Sequence, residues 1–254
     1  MLNFRIAQVL YRGFWTALDW MYPPTCAGCG EPGYRLCFNC QKEIKFITGP
    51  VCRHCGLPLD GQRDICEACQ VERPAFTALR SLARYEGVIR ACVHSLKYHR
   101  NQALGDFFAG PLAELALKSG WNLDLVMPVP LSPIRQTERG YNQAALLARP
   151  VALNLGLPST AYGLKRTRNT QSQVELNADQ RRVNLIGAFE AVPDLVAGKR
   201  VLLVDDVTTT GSTLRECTQA LLEGGASAVH CLTLARPIHG KAPIPLDSPS
   251  SIIR

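Results

Sequence analysis

Four aliphatic residues in a row, Val201–Leu202–Leu203–Val204, stand just before an acidic pair, Asp205–Asp206. Such a run reads as a strand buried on both faces, the habit of a parallel sheet's interior, and the strand is expected to end where the carboxylates begin. A helical pattern follows from Leu214 to Glu223, and Ala228 to Leu234 reads as another strand. Upstream, Leu79 to Tyr85 alternates apolar with polar positions, as a half-exposed strand would. Val88–Tyr98 and Leu104–Lys118 read as helices. Leu123 to Pro130 reads as a second buried strand, running into a loop that ends Glu138–Arg139–Gly140–Tyr141–Asn142–Gln143 before a helix over Ala144–Asn154. Strands alternating with helices predict an α/β domain, a parallel sheet flanked by helices.

The chain's two ends read differently. Apolar residues at Leu2, Ile6, Val9, Leu10, Phe14, Leu18 and Met21 give residues 1–22 one greasy helical face, ended by Pro23–Pro24. Its low cation count points to packing against the next domain rather than to a membrane surface. Residues 239–254, with Pro243, Pro245 and Pro249, read as a loose tail. No apolar run approaches a membrane span, and Arg5, Gln8, Arg12 and Asp19 interrupt any secretory core, so the cytoplasm is expected.

Composition sharpens this picture at one place. The 254 residues are 46% hydrophobic and 19% charged, as in a folded protein, and the formal charge of +7 is a modest excess that suits a polyanion or simply a solvated surface. Eight of the eleven cysteines, however, fall in four Cys-x-x-Cys pairs: Cys26/Cys29, Cys37/Cys40, Cys52/Cys55 and Cys66/Cys69. In a reducing compartment patterned cysteines bind metal rather than form disulfides. Cys26–Ala27–Gly28–Cys29–Gly30 and Cys52–Arg53–His54–Cys55–Gly56 are metal knuckles, each followed by a plain pair. Two tetrahedral zinc sites with four thiolates each are expected, Cys26/Cys29/Cys37/Cys40 and Cys52/Cys55/Cys66/Cys69. Crossed pairing of knuckles stays open, an iron–sulfur cluster is the weaker alternative, and His54 is not expected to be a ligand. A module this small needs metal to fold, which supports a scaffold or lid role; Arg35, Lys42, Lys45, Arg53 and Arg63 keep nucleic-acid binding open.

The chemistry-bearing stretch lies after the aliphatic strand. Thr208–Thr209–Thr210–Gly211–Ser212–Thr213 offers hydroxyls and backbone N–H groups at a helix N-terminus, with Gly211 able to turn tightly, a combination that suits a phosphate. Asp205 and Asp206 suit neighbouring hydroxyls, as on a ribose, or a cation. At a strand's carboxyl end, where open α/β sheets bind ligands, these residues read as a site for a phosphorylated sugar. The plain alternative is a capped helix. Neither a Walker A loop nor a dinucleotide glycine fingerprint is present. Residues 164–184 are basic and polar, with Lys165, Arg166, Arg168, Arg181 and Arg182 but no aromatic to stack on bases; a loop of this kind serves as a lid over a pyrophosphate or as a nucleic-acid surface. Lys97 and Arg100 lie within reach of either a phosphate or solvent.

The stretch from Val201 to Thr213 resembles the phosphoribosyl pyrophosphate (PRPP) signature of type I phosphoribosyltransferases, departing only at Thr208, where an aliphatic residue is more usual. The resemblance implies that Asp205 and Asp206 hold the ribose 2- and 3-hydroxyls, while Val207, Thr208, Thr209, Thr210, Gly211, Ser212 and Thr213 wrap the 5-phosphate. With the four knuckles, Pro128–Val129–Pro130–Leu131, Arg139 through Gln143, Arg166 through Gln173 and Arg181–Arg182–Val183–Asn184, nearly the whole chain resembles the ComF/GntX family. That likeness implies a type I phosphoribosyltransferase fold behind an N-terminal double zinc ribbon. The expected division is an amphipathic helix at 1–22, the ribbon at 23–75, the phosphoribosyltransferase domain at 76–238 and the tail at 239–254. It also implies a cytoplasmic role in competence or use of external DNA, a pyrophosphate loop at 131–139 and a covering loop at 165–182. The domain resembles amidophosphoribosyltransferase too, but no catalytic cysteine follows Met1, so glutamine-dependent amination is not expected.

Two functions are therefore expected to compete. In a phosphoribosyl transferase, Mg²⁺ on the pyrophosphate and the cations Arg139, Arg166, Arg168 and Arg181 would stabilise the leaving group. The alternative is a non-catalytic module that senses PRPP or a nucleotide and engages single-stranded DNA or a DNA-uptake partner through ribbon and basic loop. The acceptor, and whether the chain forms an oligomer, are left open.

Overall fold

The computed structural model describes residues 24–99, 101, 103–168, 185 and 187–238. The helix expected at 1–22, Arg100, Arg181 and most of the polar loop, and the tail at 239–254 lie outside the described residues. In chain order the elements are α1 (Phe38–Lys42), α2 (Glu67–Val71), β1 (Ala78–Arg84), α3 (Gly87–Tyr98), α4 (Ala103–Lys118), β2 (Leu125–Pro128), α5 (Pro133–Arg139), α6 (Gln143–Leu155), β3 (Leu164–Arg166), β4 (Phe189–Ala191), α7 (Pro193–Val196), β5 (Arg200–Val207), α8 (Ser212–Glu223) and β6 (Ala228–Arg236).

Four strands form a parallel sheet in the order β1-β6-β5-β2. Val201 to Val204 are fully buried, as the aliphatic run requires, and alternation sends them into two cores. Leu202 and Val204 pack with Leu96 of α3, Phe108 of α4 and Leu147 of α6. Val201 and Leu203 pack with Leu214, Cys217 and Leu221 of α8 and with Phe189 of β4. β3 and β4 form a separate antiparallel pair of three residues each, too short to show a period in the sequence.

Three expectations need correction. β5 does not stop before the acidic pair: β6 is long enough to offer ladder partners, and Asp205 stays opposite Thr233 and Val207 opposite Ala235. The carboxylates thus project from a strand rather than follow it. β1 is not half-exposed; Ala78, Leu79, Ser81, Leu82 and Ala83 are all buried. Its outer edge is covered by the segment between the two cysteine quartets, through a Phe46–Ala83 bridge and the Ile47 N–H donating to Leu82 O at 3.0 Å. The loop expected before Arg139 contains helix α5, started by Ser132, whose hydroxyl accepts the Arg135 N–H, and by Pro133, and stopped by Gly140 at φ 76°.

At the sheet's opposite end, Asp124 receives the Arg200 backbone N–H and both arms of its guanidinium, at 2.7–2.9 Å. These bonds hold the Asp124 carboxyl well below the usual carboxylate value. A depressed folded value means that the pair's contribution is present above the ordinary value, about 4, and is lost as pH falls through the folded one. Asp124→Asn should therefore lower the urea midpoint at neutral pH and flatten the acid limb of stability. Parallel pH profiles for the two proteins would contradict this.

Candidate functional site

The knuckles build two separate metal centres. The sulfurs of Cys26, Cys29, Cys37 and Cys40 lie within 4.8 Å of one another, as do those of Cys52, Cys55, Cys66 and Cys69, so neighbouring pairs share a site and crossed pairing is excluded. Cys29 and Cys37 Sγ are 3.7 Å apart and Cys55 and Cys66 Sγ 3.5 Å. A tetrahedron with ~2.3 Å zinc–sulfur bonds places its sulfurs roughly 3.8 Å apart, so the quartets fit zinc. Backbone amides of the second pair aim at sulfur of the first: the Cys37 N–H donates to Cys26 Sγ at 3.3 Å and the Cys66 N–H to Cys52 Sγ at 3.4 Å. Burial raises both acceptor thiols, but backbone N–H groups outweigh it and bring Cys26 to about 6 and Cys52 to about 7. One sulfur in each quartet is therefore readily a thiolate. His54 is not among the groups that gather at the second centre, and its carbonyl accepts the Leu79 N–H at 2.7 Å.

The first centre is built into the core of the sheet, and the second, with a small core of its own, is hydrogen-bonded to β1 and β6. Cys26, Cys37 and Cys40 share one core with Leu82, Ala83, Val88, Ile89 and Cys92. The second knuckle abuts β1 so closely that a Cβ on Gly56, at φ +67°, would stand 2.3 Å from Leu79 O. Arg80 donates to Cys52 O and Arg53 O, and Arg236 at the end of β6 donates to Cys55 O at 2.5 Å.

At the carboxyl end of β5 the acidic-hydroxyl stretch closes into one small cradle. Asp205 and every residue from Val207 to Leu214 line a cavity of about 50 Å³. Gly211, at φ 79°, makes the turn that α8 begins from, and Thr210 Oγ1 lies 2.8 Å from Ser212 Oγ. Thr208, the departure from the usual signature, is buried, and its hydroxyl has no hydrogen-bond partner among the described residues. A Cβ on Gly211 would stand 3.8 Å from that hydroxyl, so it faces the turn.

The acidic pair is split between the two faces of the sheet, as consecutive strand residues must be. Asp205 lines the cradle, and its Oδ1 accepts the Asp206 N–H at 2.8 Å. Burial and the neighbouring Asp206 charge push Asp205 well above the usual carboxylate value. Asp206 turns toward α3, where Lys97 Nζ lies 2.6 Å from its Oδ2, with the two side chains 23% and 5% exposed. Burial lowers the Lys97 ammonium, but Asp206, Asp205 and Tyr85 together raise it further. Lys97, which the sequence placed at a phosphate or in solvent, is instead the acidic pair's counter-ion. The pairing spans more than a hundred residues, and no local pattern could have shown it.

The arginines divide likewise. Arg139 donates to Gln143 Oε1 at 2.8 Å and lies 5.1 Å over the Tyr98 ring. Tyr141 OH donates to Leu96 O at 2.6 Å, and Asn142 caps α6 by accepting the Ala144 N–H at 2.9 Å. The Arg139–Gln143 motif is thus tied to α3, on the Asp206 side. Arg166, on β3, lies 5.5 Å over Phe189, and burial with the Arg135 charge lowers it. Phe189 packs in the core of Val201, Leu203 and Cys217, which places Arg166 on the other face, where Asp205 follows the alternation of Val201 and Leu203. Arg168 follows β3 within the described residues, and Arg181 lies outside them.

Comparison with known proteins agrees with this construction. Residues 17–70 match the double zinc ribbon domain, and residues 142–248 match the phosphoribosyl transferase domain. Competence protein F of Haemophilus influenzae is 34% identical over 209 residues, covering 79% of this chain and 90% of that protein. DNA utilization protein YhgH of Escherichia coli is 32% identical over 230 residues, 85% of this chain and 98% of that one. Competence protein ComFC of Bacillus subtilis is 29% identical over 214 residues, 81% and 86% of the two chains. No helix among the described residues is long and apolar enough to cross a membrane. With its two four-cysteine zinc sites and its parallel-sheet phosphoribosyltransferase domain, the chain belongs to the ComF/GntX family, whose members include competence protein F, YhgH and ComFC.

Proposed function

We propose that the chain binds PRPP with Mg²⁺ and transfers its phosphoribosyl group to a nucleophilic acceptor. One observation carries this reading: Asp205 and the whole of Val207–Leu214 line a single cavity at the carboxyl end of a parallel strand. Backbone amides around Gly211 and the hydroxyls of Thr208 to Thr213 would hold the 5-phosphate, and Asp205 and Asp206 the ribose hydroxyls. Mg²⁺ would arrive on the pyrophosphate and neutralise the leaving group when bound. In the transfer, a bond forms from the acceptor to the anomeric carbon while the bond from that carbon to the pyrophosphate oxygen breaks, its electrons leaving on pyrophosphate. Arg139 lies on the α3 side of the sheet and Arg166 on the α8 side, and we assign them, with Arg168 and Arg181, to the charge that develops on the leaving group. The names of the relatives suggest a setting in competence or DNA utilization.

Pyrophosphate release from PRPP and Mg²⁺, screened against nucleobases and ammonia, tests the catalytic half. Release above background, lost in Asp205→Asn/Asp206→Asn, is expected. No release with any acceptor, together with intact PRPP binding, would instead favour a PRPP-sensing module that engages DNA.

A further inference from the structure

A hollow of about 990 Å³ lies between the first zinc ribbon and α3. Pro24 to Ala27 and Gly30 form one wall; Arg90, His94, Lys97, Tyr98 and His99 stand on the other. Its volume is that of a small-molecule site. Two features define what it would hold. The first is a cluster of rings on the outer side of α3: His94 lies 4.7 Å from Tyr98 and 5.1 Å from His99, and Tyr98 is 61% exposed. The second is charge. Arg90 and Lys97 line the hollow, and no carboxylate is among its described lining residues. Rings offer stacking to a flat molecule, and a guanidinium offers a paired contact to a carboxylate.

Lys97 connects this hollow to the acidic pair, because it lines the hollow while its ammonium rests on Asp206. Tyr98 does the same for Arg139, which lies over its ring. A molecule seated in the hollow would therefore adjoin a ribose held at Asp205 and Asp206. Resting on the PRPP reading above, we propose that the hollow is the acceptor site and that the acceptor is a planar aromatic carboxylate bearing a nucleophilic nitrogen. Its ring packs against Tyr98 and His94, and its carboxylate meets Arg90. Its nitrogen bonds to the anomeric carbon as the carbon–oxygen bond to pyrophosphate breaks, the electron pair leaving on pyrophosphate; an N–H acceptor then sheds its proton to water, and a pyridine nitrogen keeps the positive charge. An uncharged nucleobase would bring no anion to the Arg90 side of the hollow. Cys26 is both a zinc ligand and part of the wall, so the first ribbon shapes the acceptor site.

The test is calorimetric titration of the zinc-loaded full chain with 2-aminobenzoate, orotate and pyridine-2,3-dicarboxylate, with adenine and a short oligothymidylate in parallel. At least one acid should bind saturably, and Arg90→Gln and His94→Ala, both at exposed positions, should each weaken it about tenfold. PRPP affinity should stay within about twofold in both variants, since neither residue lies in the cradle. PRPP binding with no acid bound would overturn this proposal alone. Acid binding that depends on Arg90 in a protein that does not bind PRPP would overturn the PRPP reading and, with it, the acceptor role. Variant effects that follow the oligothymidylate and not the acids would assign the hollow to nucleic acid and overturn the proposal.

Discussion

Stripping zinc from the reduced protein is expected to unfold the sheet domain along with the ribbons. Three ligands of the first centre, Cys26, Cys37 and Cys40, belong to the same core as β1, α3 and α4. Between the two centres, the chain from Lys45 to Ile47 closes the outer edge of β1. Structural zinc contributes roughly 10–16 kcal/mol to small modules that fold around it, as much as the whole net stability of an ordinary domain, about 5–15 kcal/mol. Without the ion, burial pushes the Cys40 and Cys69 thiols upward, leaving sulfur atoms packed with nothing to bind. A chelator should therefore produce one cooperative loss of far-ultraviolet circular dichroism, reversed by adding back about two zinc ions per chain. Cys40→Ser should reproduce most of it. Release of both metals with an unchanged melting transition of the sheet would show that the ribbons are separable ornaments.

Lys97→Met is expected to cost about 2–3 kcal/mol at neutral pH, less than the full cost of orphaning a buried charge because Lys97 is itself partly exposed. The loss should shrink in acid, where a carboxylate deprived of its ammonium takes up a proton. Adding Asp206→Asn should restore most of the stability and none of the PRPP affinity, because the repair concerns charge burial while the ribose contact stays absent. A single variant as stable as the parent would contradict the ion pair. Full PRPP affinity in the double variant would remove Asp206 from the site.

The sequence showed the strands and helices that carry a clean period. Val201 to Val204 read correctly because a strand covered on both faces is aliphatic throughout, and α3, α4, α6 and α8 because each is long enough to repeat. β1 misleads because one of its three polar positions, Ser81, is not exposed: its hydroxyl lies 2.7 Å from Thr233 Oγ1 inside the sheet, and the inter-ribbon segment covers the edge. The end of β5 is not legible because charge normally marks a strand's exit, whereas here β6 extends the ladder past Asp205. Metal ligands were legible to the residue, since knuckle spacing is local; which knuckles share an ion is a matter of three dimensions. The stretch from Asp205 to Leu214 is legible as one turn between strand and helix for the same reason, and the structure gathers it around one cavity. The Lys97 partnership and the hollow beneath the first ribbon join segments far apart in the chain and leave no local pattern.

Calorimetric titration with PRPP, with and without Mg²⁺, on the parent and on Asp205→Asn/Asp206→Asn tests the central claim most directly. Saturable binding near one PRPP per chain, strengthened by Mg²⁺ and abolished in the double variant, is predicted. Absence of binding in the parent, or equal binding in the variant, would contradict a PRPP site at the end of β5.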